Sequence, residues 1–358
     1  MQRFLTRIFC SIDLNRTAPI AEKKIEKFAP LFLLIGIVLL CYLPFLNKAY
    51  SIDDPLFIWS AKQIQNSPLN PYGFNVIWYF SEMPMSFVTK NPPLASYYIA
   101  GASLFLGWDE IAIHLIFLLP AIAVAIGTYL FANRYCEHPL HAALAGILTP
   151  VFLVSSLTVM SDMLMLAFWI FAIYFWIKGI ENKSPIAFML AGLLISFAVL
   201  TKYFGIMLIP LLIFYSLYRE RRIGYHFLFF LIPIIILVLY QWWTESLYGR
   251  GLLFDAAEHA ISKKSKMGNF IGSKMFVNFA FIGGCLASLL FFATKLWSRT
   301  VIFVGLFIFL VGAYYLSTSK TLGSFDLPAD ITDRILFSIQ FCMWVIVGIN
   351  TNVLTNVT

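Results

Sequence analysis

Three acids and two lysines sit where an otherwise apolar chain has little use for charge. Asp53 and Asp54 are adjacent, just past the first strongly apolar segment, Ala29 to Leu46. Asp162 heads the apolar run Met163-Leu164-Met165-Leu166, Lys90 precedes Asn91-Pro92-Pro93-Leu94, and Lys202 lies within Leu200-Thr201-Lys202-Tyr203-Phe204-Gly205. Carboxylates at a membrane surface can take the proton of an attacking hydroxyl, and a lysine beside them can hold a phosphate. Each residue also has an ordinary role. Pro55 follows the acid pair, so either acid can cap a helix beginning there, and Ser161-Asp162 is a second good cap. A lysine at the end of a span commonly snorkels to the interface.

The elements that must position these residues follow from composition. With 60% apolar and 12% charged residues over 358 positions and a mean hydropathy of +0.83, the chain is outside the range of soluble domains and of nucleic-acid binders. It reads as an all-α polytopic membrane protein, because lipid leaves backbone groups no partner outside a helix and the apolar runs are too long for barrel strands. About ten spans are predicted, at 29–47, 111–133, 139–159, 163–180, 186–200, 203–218, 225–244, 276–294, 300–317 and 335–353. Pro93 to Leu106 is only about 21 Å of helix and reads as an interfacial helix in a first outer loop, 48–110.

Basic residues test that topology. Arg3, Arg7, Arg16, Lys23, Lys24 and Lys27 in segment 1–28 put the N-terminus in the cytoplasm. If 93–106 does not cross, Arg134, then Lys178 and Lys183, then Arg219, Arg221 and Arg222, then Lys295 and Arg299 all fall on inner turns. Asp53, Asp54, Lys90, Asp162 and Lys202 then share the outer face. No cleavable signal is expected, so the first span is a signal anchor.

The outer loop 246–275 is the exception, with Arg250, Lys263, Lys264, Lys266 and Lys274 against Asp255 and Glu258. A long loop tolerates such charge; an anionic headgroup or diphosphate site is the functional alternative. Within it Tyr248-Gly249-Arg250-Gly251 is either a plain turn or a backbone bent close to a ligand, and His259 has no partner by spacing. Cys10, Cys41, Cys136, Cys285 and Cys342 suggest neither disulfide nor metal framework, and no Walker or Rossmann glycine motif is present. No cofactor is required; a divalent metal is possible, yet no ligand spacing supports one. Most of Trp59, Tyr72, Trp78, Tyr79 and Phe80 read as interfacial anchors rather than sugar-stacking residues.

Four stretches in order also resemble one family: Asp53-Asp54, Lys90-Asn91-Pro92-Pro93-Leu94, Ser161-Asp162-Met163-Leu164 and Leu200-Thr201-Lys202-Tyr203-Phe204-Gly205. They are similar, over roughly residues 30–215, to polyprenyl-phosphate-dependent glycosyltransferases of the GT-C fold. The branch is glycosyltransferase family 39, with the protein O-mannosyltransferases, the aminoarabinose transferases and a domain like that of rhizobial lipopolysaccharide core transferases. The resemblance implies a GT-C-like helix bundle, with a catalytic module over 29–245, a loop over the site at 246–275 and C-terminal helices over 276–358. It implies Asp53 as general base, Asp54 and Asp162 as further site acids, and Lys90, Lys202 and Arg250 near the lipid phosphate. Tyr248, Asp255, Glu258 and His259 would lie in the substrate loop. Pro55-Leu56-Phe57 stands where aminoarabinose transferases often carry an arginine.

The implied reaction moves a sugar with inversion from a polyprenyl-phosphate donor to a lipid, glycan or protein acceptor at the outer face of a bacterial inner membrane, both termini being cytoplasmic. Membrane lipids are the other implied partners. A secondary transporter or lipid flippase is the alternative from another class, although its charges would sit at mid-membrane in broken helices. An inactive lipid-binding relative is the third, since the chain ends soon after the tenth span where family members are often longer.

Overall fold

In the computed structural model, residues 20–51, 53–78 and 80–266 are described, together with isolated positions further on, among them an antiparallel pairing of Thr321–Leu322 with Phe325–Asp326. The expected spans 276–294, 300–317 and 335–353 lie outside the described residues. Helix α1 is Ile20–Tyr42, and the first loop holds α2 (Asp54–Asn66), the hairpin strands β1 (Asn75–Trp78) and β2 (Ser81–Pro84), the single turn α3 (Met85–Val88) and α4 (Leu94–Leu106). Then follow α5 (Glu110–Tyr135), α6 (Pro139–Ile147), α7 (Pro150–Ser156), α8 (Ser161–Asn182), α9 (Pro185–Thr201), α10 (Leu208–Glu220), α11 (Leu231–Tyr248) and α12 (Leu252–Lys266).

Among the described residues four helical stretches are long and apolar enough to cross a membrane, Phe28–Phe45, Glu110–Tyr135, Ser161–Asn182 and Tyr225–Tyr248, and α6 with α7 makes a fifth if counted as one. The protein is therefore an integral membrane protein. The span expected at 139–159 is not straight: α6 and α7 meet at 62°. Pro150 is the cause, since it lacks an N–H and pushes Thr149 into extended backbone, where the Thr149 hydroxyl caps α7 by accepting from Phe152 N at 3.3 Å.

The span expected at 186–200 is present as α9, 17 residues long, whereas the one expected at 203–218 begins as a 3-10 turn, Tyr203–Met207, and leaves α10 only 13 residues. That turn lies on the backbone of α9: a Cβ at Gly205 would come within 2.6 Å of the Ala198 carbonyl carbon and the Val199 nitrogen. Gly205→Ala should therefore destabilise the protein by about 1–3 kcal/mol, as overpacking against a backbone that cannot yield. The check is its thermal inactivation midpoint beside that of Gly101→Ala, where a Cβ meets nothing within 4 Å.

The bundle core forms around α8 and α9. Trp176 is fully buried among Ala172, Phe188, Ile195, Leu208 and Phe230, and its indole N–H donates to Ser216 Oγ at 2.8 Å. A buried indole N–H needs such a partner. Left-handed Lys183 (φ 49°) ends α8 and the Ser184 hydroxyl caps α9, giving a tight antiparallel pair. Beside it the Arg134 guanidinium bonds Glu181, with Nε to Oε1 at 3.1 Å. Chain direction thus gathers Arg134, Lys183 and Arg221 at one end of the bundle and the first loop, Asp162, Lys202 and Tyr248 at the other.

Helix α4 joins the second group at both of its ends. Its 13 residues reach about 20 Å, starting beside Lys90 and stopping at Gly107 (φ 88°), where Asp109 caps α5 by accepting from Ala112 N at 3.4 Å. Ala95, Ile99 and Ala100 of α4 pack with Phe57, Ile58, Ala61 and Ile64 of α2 onto Ile113, Ile116 and Phe117 of α5. The first-loop helices thus form a layer across the end of the bundle.

Candidate active site

The acid pair divides by helical phase. Successive residues on a helix point about 100° apart, so Asp54 turns inward with Ile58 and Ala61 while Asp53 faces the side of Phe57 and Ser60. Asp54 is 0% exposed; its carboxylate accepts from Ser51 N at 2.7 Å and from Val159 N at 3.1 Å. Burial lifts its carboxyl above the ordinary value of 3.8, against the opposing pull of those two N–H groups and of the charges of His114 and Lys48. Asp54 thereby joins the first loop to the turn that precedes Asp162. Neither acid caps α2: Asp53 occupies the cap position without a side-chain cap bond, and the bonds of Asp54 go elsewhere.

Asp53 is exposed, and its carboxylate has no partner among the described residues. It opens on a cavity of about 170 Å³, lined also by Ser60, Tyr72, Trp78, Lys90 and Asn91. Lys90 Nζ lies 2.6 Å from Asp255 Oδ2, and Arg250 Nη1 lies 2.9 Å from Asp255 Oδ1. Arg250 Nη2 also donates to Ser86 O at 2.7 Å, and the guanidinium stacks 3.5 Å over the ring of Phe87. Two cations share one carboxylate, and one of them, Lys90, lines the cavity opposite the charge of Asp53. Arg250 Nε is buried without a partner among the described residues.

The loop after α11 is shaped by its glycines. Gly249 ends α11 in the left-handed region (φ 68°), and a Cβ at Gly251 would fall 1.5 Å from Gln241 Nε2. Side chains of α11 then serve the first turn of α12: Thr244 Oγ1 accepts from Leu252 N at 3.1 Å and Gln241 Oε1 from Phe254 N at 3.3 Å. This explains part of the exceptional charge in 246–275, because Arg250 and Asp255 are paired by that turn.

Tyr248 accepts from Tyr72 N at 3.1 Å and donates to Asn70 Oδ1 at 2.9 Å. Tyr72 in turn donates to Asn91 O at 3.0 Å, beside Lys90. Tyr72 is 3% exposed and its burial holds the phenol well above its ordinary value, so it is a fixed donor rather than an interfacial anchor. Trp78 likewise lines the cavity. Trp59 and Phe80 are exposed, and Tyr79 is outside the described residues.

Asp162 and Lys202 form a second pair, Oδ1 to Nζ at 2.6 Å, joining the start of α8 to the end of α9. Asp162 does not line the Asp53 cavity; it opens on another of about 290 Å³ with Thr149, Phe152 and Met163. Both side chains are about a third exposed, so Asp162→Asn should change stability by less than about 1 kcal/mol. A larger loss in urea or heat would mean that the pair is structural. Glu258 and His259 are exposed on α12, without a side-chain partner among the described residues. No group of three or more His, Cys, Asp or Glu residues that could hold a metal occurs among the described residues.

A profile of the dolichyl-phosphate-mannose-protein mannosyltransferases matches residues 90–243, less than half of the chain, a stretch that includes Lys90, Asp162 and Lys202. No curated protein matches by sequence. Among solved structures, the chain is similar to ArnT from Cupriavidus metallidurans bound to undecaprenyl phosphate, at 14% identity and a TM-score of 0.50, over 90% of this chain and 60% of that one. The same protein in the apo state gives 15% identity and a TM-score of 0.49 over the same shares. The chain thus has the helical GT-C fold and spans 60% of the length of that ArnT chain.

Proposed function

We propose that this protein is an inverting membrane glycosyltransferase that moves a sugar from a polyprenyl-phosphate donor to a lipid, glycan or protein acceptor, with Asp53 as the general base. The observation that carries this reading is the Asp53 carboxylate, unpartnered among the described residues, sharing one cavity with Lys90, which is held with Arg250 on a single carboxylate, Asp255. The fold shared with an ArnT that binds undecaprenyl phosphate supports the lipid class of the donor. The active face would be the outer face of a bacterial inner membrane.

In this scheme the acceptor O–H gives its proton to Asp53 as its oxygen bonds to the anomeric carbon and the bond from that carbon to the phosphate oxygen breaks. The electron pair leaves on polyprenyl phosphate, which needs no general acid. Lys90 and Arg250 offset the charge that develops there, Asp255 holding the two cations on the same side. Asp54 is a positioning residue for the loop carrying Asp53, and the Asp162–Lys202 pair offers a further contact for the lipid phosphate. A single displacement inverts the anomeric centre.

The test uses purified protein in vesicles with a panel of polyprenyl-phosphate sugars. The expected result is donor-dependent release of polyprenyl phosphate and a product of inverted anomeric configuration. Retained configuration would rule out the single displacement. Movement of a solute or lipid across the vesicle with no donor turned over would replace the enzyme reading with transport.

A further inference from the structure

We infer that a second groove, on another flank of α2, binds a saccharide: the sugar head of the acceptor in the transfer proposed above, on which this inference rests. The groove has a volume of about 520 Å³ and is walled by Trp59, Lys62, Gln63 and Asn66 of α2 and by Phe74 and Asn75 at β1. On α2 these are positions i, i+3, i+4 and i+7, one continuous stripe. The stripe is distinct from the buried face of Phe57, Ile58, Ala61 and Ile64 and from the face that carries Asp53 and Ser60.

The chemistry of the stripe suits a sugar better than the other ligands available at a membrane surface. A pyranose has apolar C–H faces and a rim of hydroxyls, so it needs a flat aromatic plate with mixed donors and acceptors around it. Trp59, 39% exposed, and Phe74 supply the plate. The amides of Gln63, Asn66 and Asn75 supply donor and acceptor together, and most of that capacity is open. Asn66 has no side-chain partner among the described residues, Gln63 gives only a 3.4 Å bond to Asn70 O, and Asn75 uses its Nδ2 alone, on Glu82 at 3.2 Å. A lipid tail would leave these amides unpaired. A phosphate would find one cation, Lys62, already 5.3 Å over the ring of Trp108.

The groove and the Asp53 cavity flank the same two elements, α2 and β1. Strand β1 walls both, with Trp78 lining the cavity and Val76 and Ile77 lining the groove. Trp59 is six residues beyond Asp53, about 9 Å along the helix axis. The two side chains lie about a third of a turn apart around α2, so an acceptor docked on Trp59 would extend around the helix to bring a hydroxyl to Asp53.

Binding is tested apart from transfer, on the full chain in lipid nanodiscs. Saturation-transfer NMR is run with the methyl glycosides of glucose, galactose, mannose and N-acetylglucosamine as probes. Wild type should bind at least one of them, about tenfold more tightly than Trp59→Ala. Trp59→Phe should recover most of the difference, and Asp53→Asn should bind as wild type does. Asn66→Leu, a change at an exposed position of the same stripe, should weaken binding too and keeps the test open if Trp59→Ala fails to fold. Binding of none of the probes, or equal binding by the stripe variants, would overturn the inference. Saccharide binding without release of polyprenyl phosphate from any donor would sink the proposed transfer and leave the groove; release without saccharide binding would do the reverse.

Discussion

Asp53→Asn should slow transfer by about 10²–10⁴-fold, the range over which a positioned base accelerates proton removal, while leaving the fold intact. The substitution keeps the shape of the side chain and removes only its charge and basicity. Because Asp53 is exposed and unpartnered among the described residues, the variant should lie within about 0.5 kcal/mol of wild type in stability. Affinity for polyprenyl phosphate should hold or improve, since a negative charge has left a cavity whose wall carries Lys90. The signature is thus a fall in kcat without a rise in donor KM, which marks an interaction made only in the transition state. Equal rates for wild type and variant would remove Asp53 from the mechanism and turn attention to Asp162, the other carboxylate of this group that opens on a cavity.

What was legible beforehand is what hydropathy and charge report over short distances. The alternation of basic turns fixes which ends of the helices belong together, and that alone brings Asp53, Lys90, Asp162 and Lys202 to one end of the bundle. The shortness of α4, 13 residues, is visible in the length of its apolar run. Long-range pairing was not legible. Lys90 and Asp255 are 165 residues apart and Tyr248 and Asn70 are 178 apart, and nothing local in either segment names its partner. Tyr72 looks like an interfacial tyrosine by type; it is buried in one cluster with Val76, Met85, Tyr240 and Leu252, three of which are remote in sequence or on other elements. The bend at Pro150 was readable from the proline itself, yet a hydropathy window averages over it. The acid pair was ambiguous in a different way, since helix capping and catalysis ask for the same residues in the same place.

Asp54 resolves that ambiguity experimentally, because its substitution should act on stability first. In Asp54→Leu the N–H groups of Ser51 and Val159 lose their acceptor at a site with 0% exposure. Each unsatisfied buried donor costs about 1–3 kcal/mol, so a total loss of about 2–5 kcal/mol is expected, read as a lower thermal inactivation midpoint. Asp54→Asn keeps one acceptor and should lose roughly half as much. The pH dependence has a definite sign. Burial raises the folded carboxyl above its ordinary value of 3.8, so the fold favours the protonated form. Stability from this group is fully present below that value and is lost as pH rises through the raised one. The gap between wild type and Asp54→Asn should accordingly narrow as pH climbs out of the acid range, and a gap that widens would mean that the two N–H groups outweigh burial. Transfer by Asp54→Asn below its inactivation temperature should exceed that of Asp53→Asn, since the cross-loop bond to Val159 only holds the base in place. If Asp54→Asn is folded and as inactive as Asp53→Asn, the two acids share the proton transfer and the division of labour by helical phase is wrong.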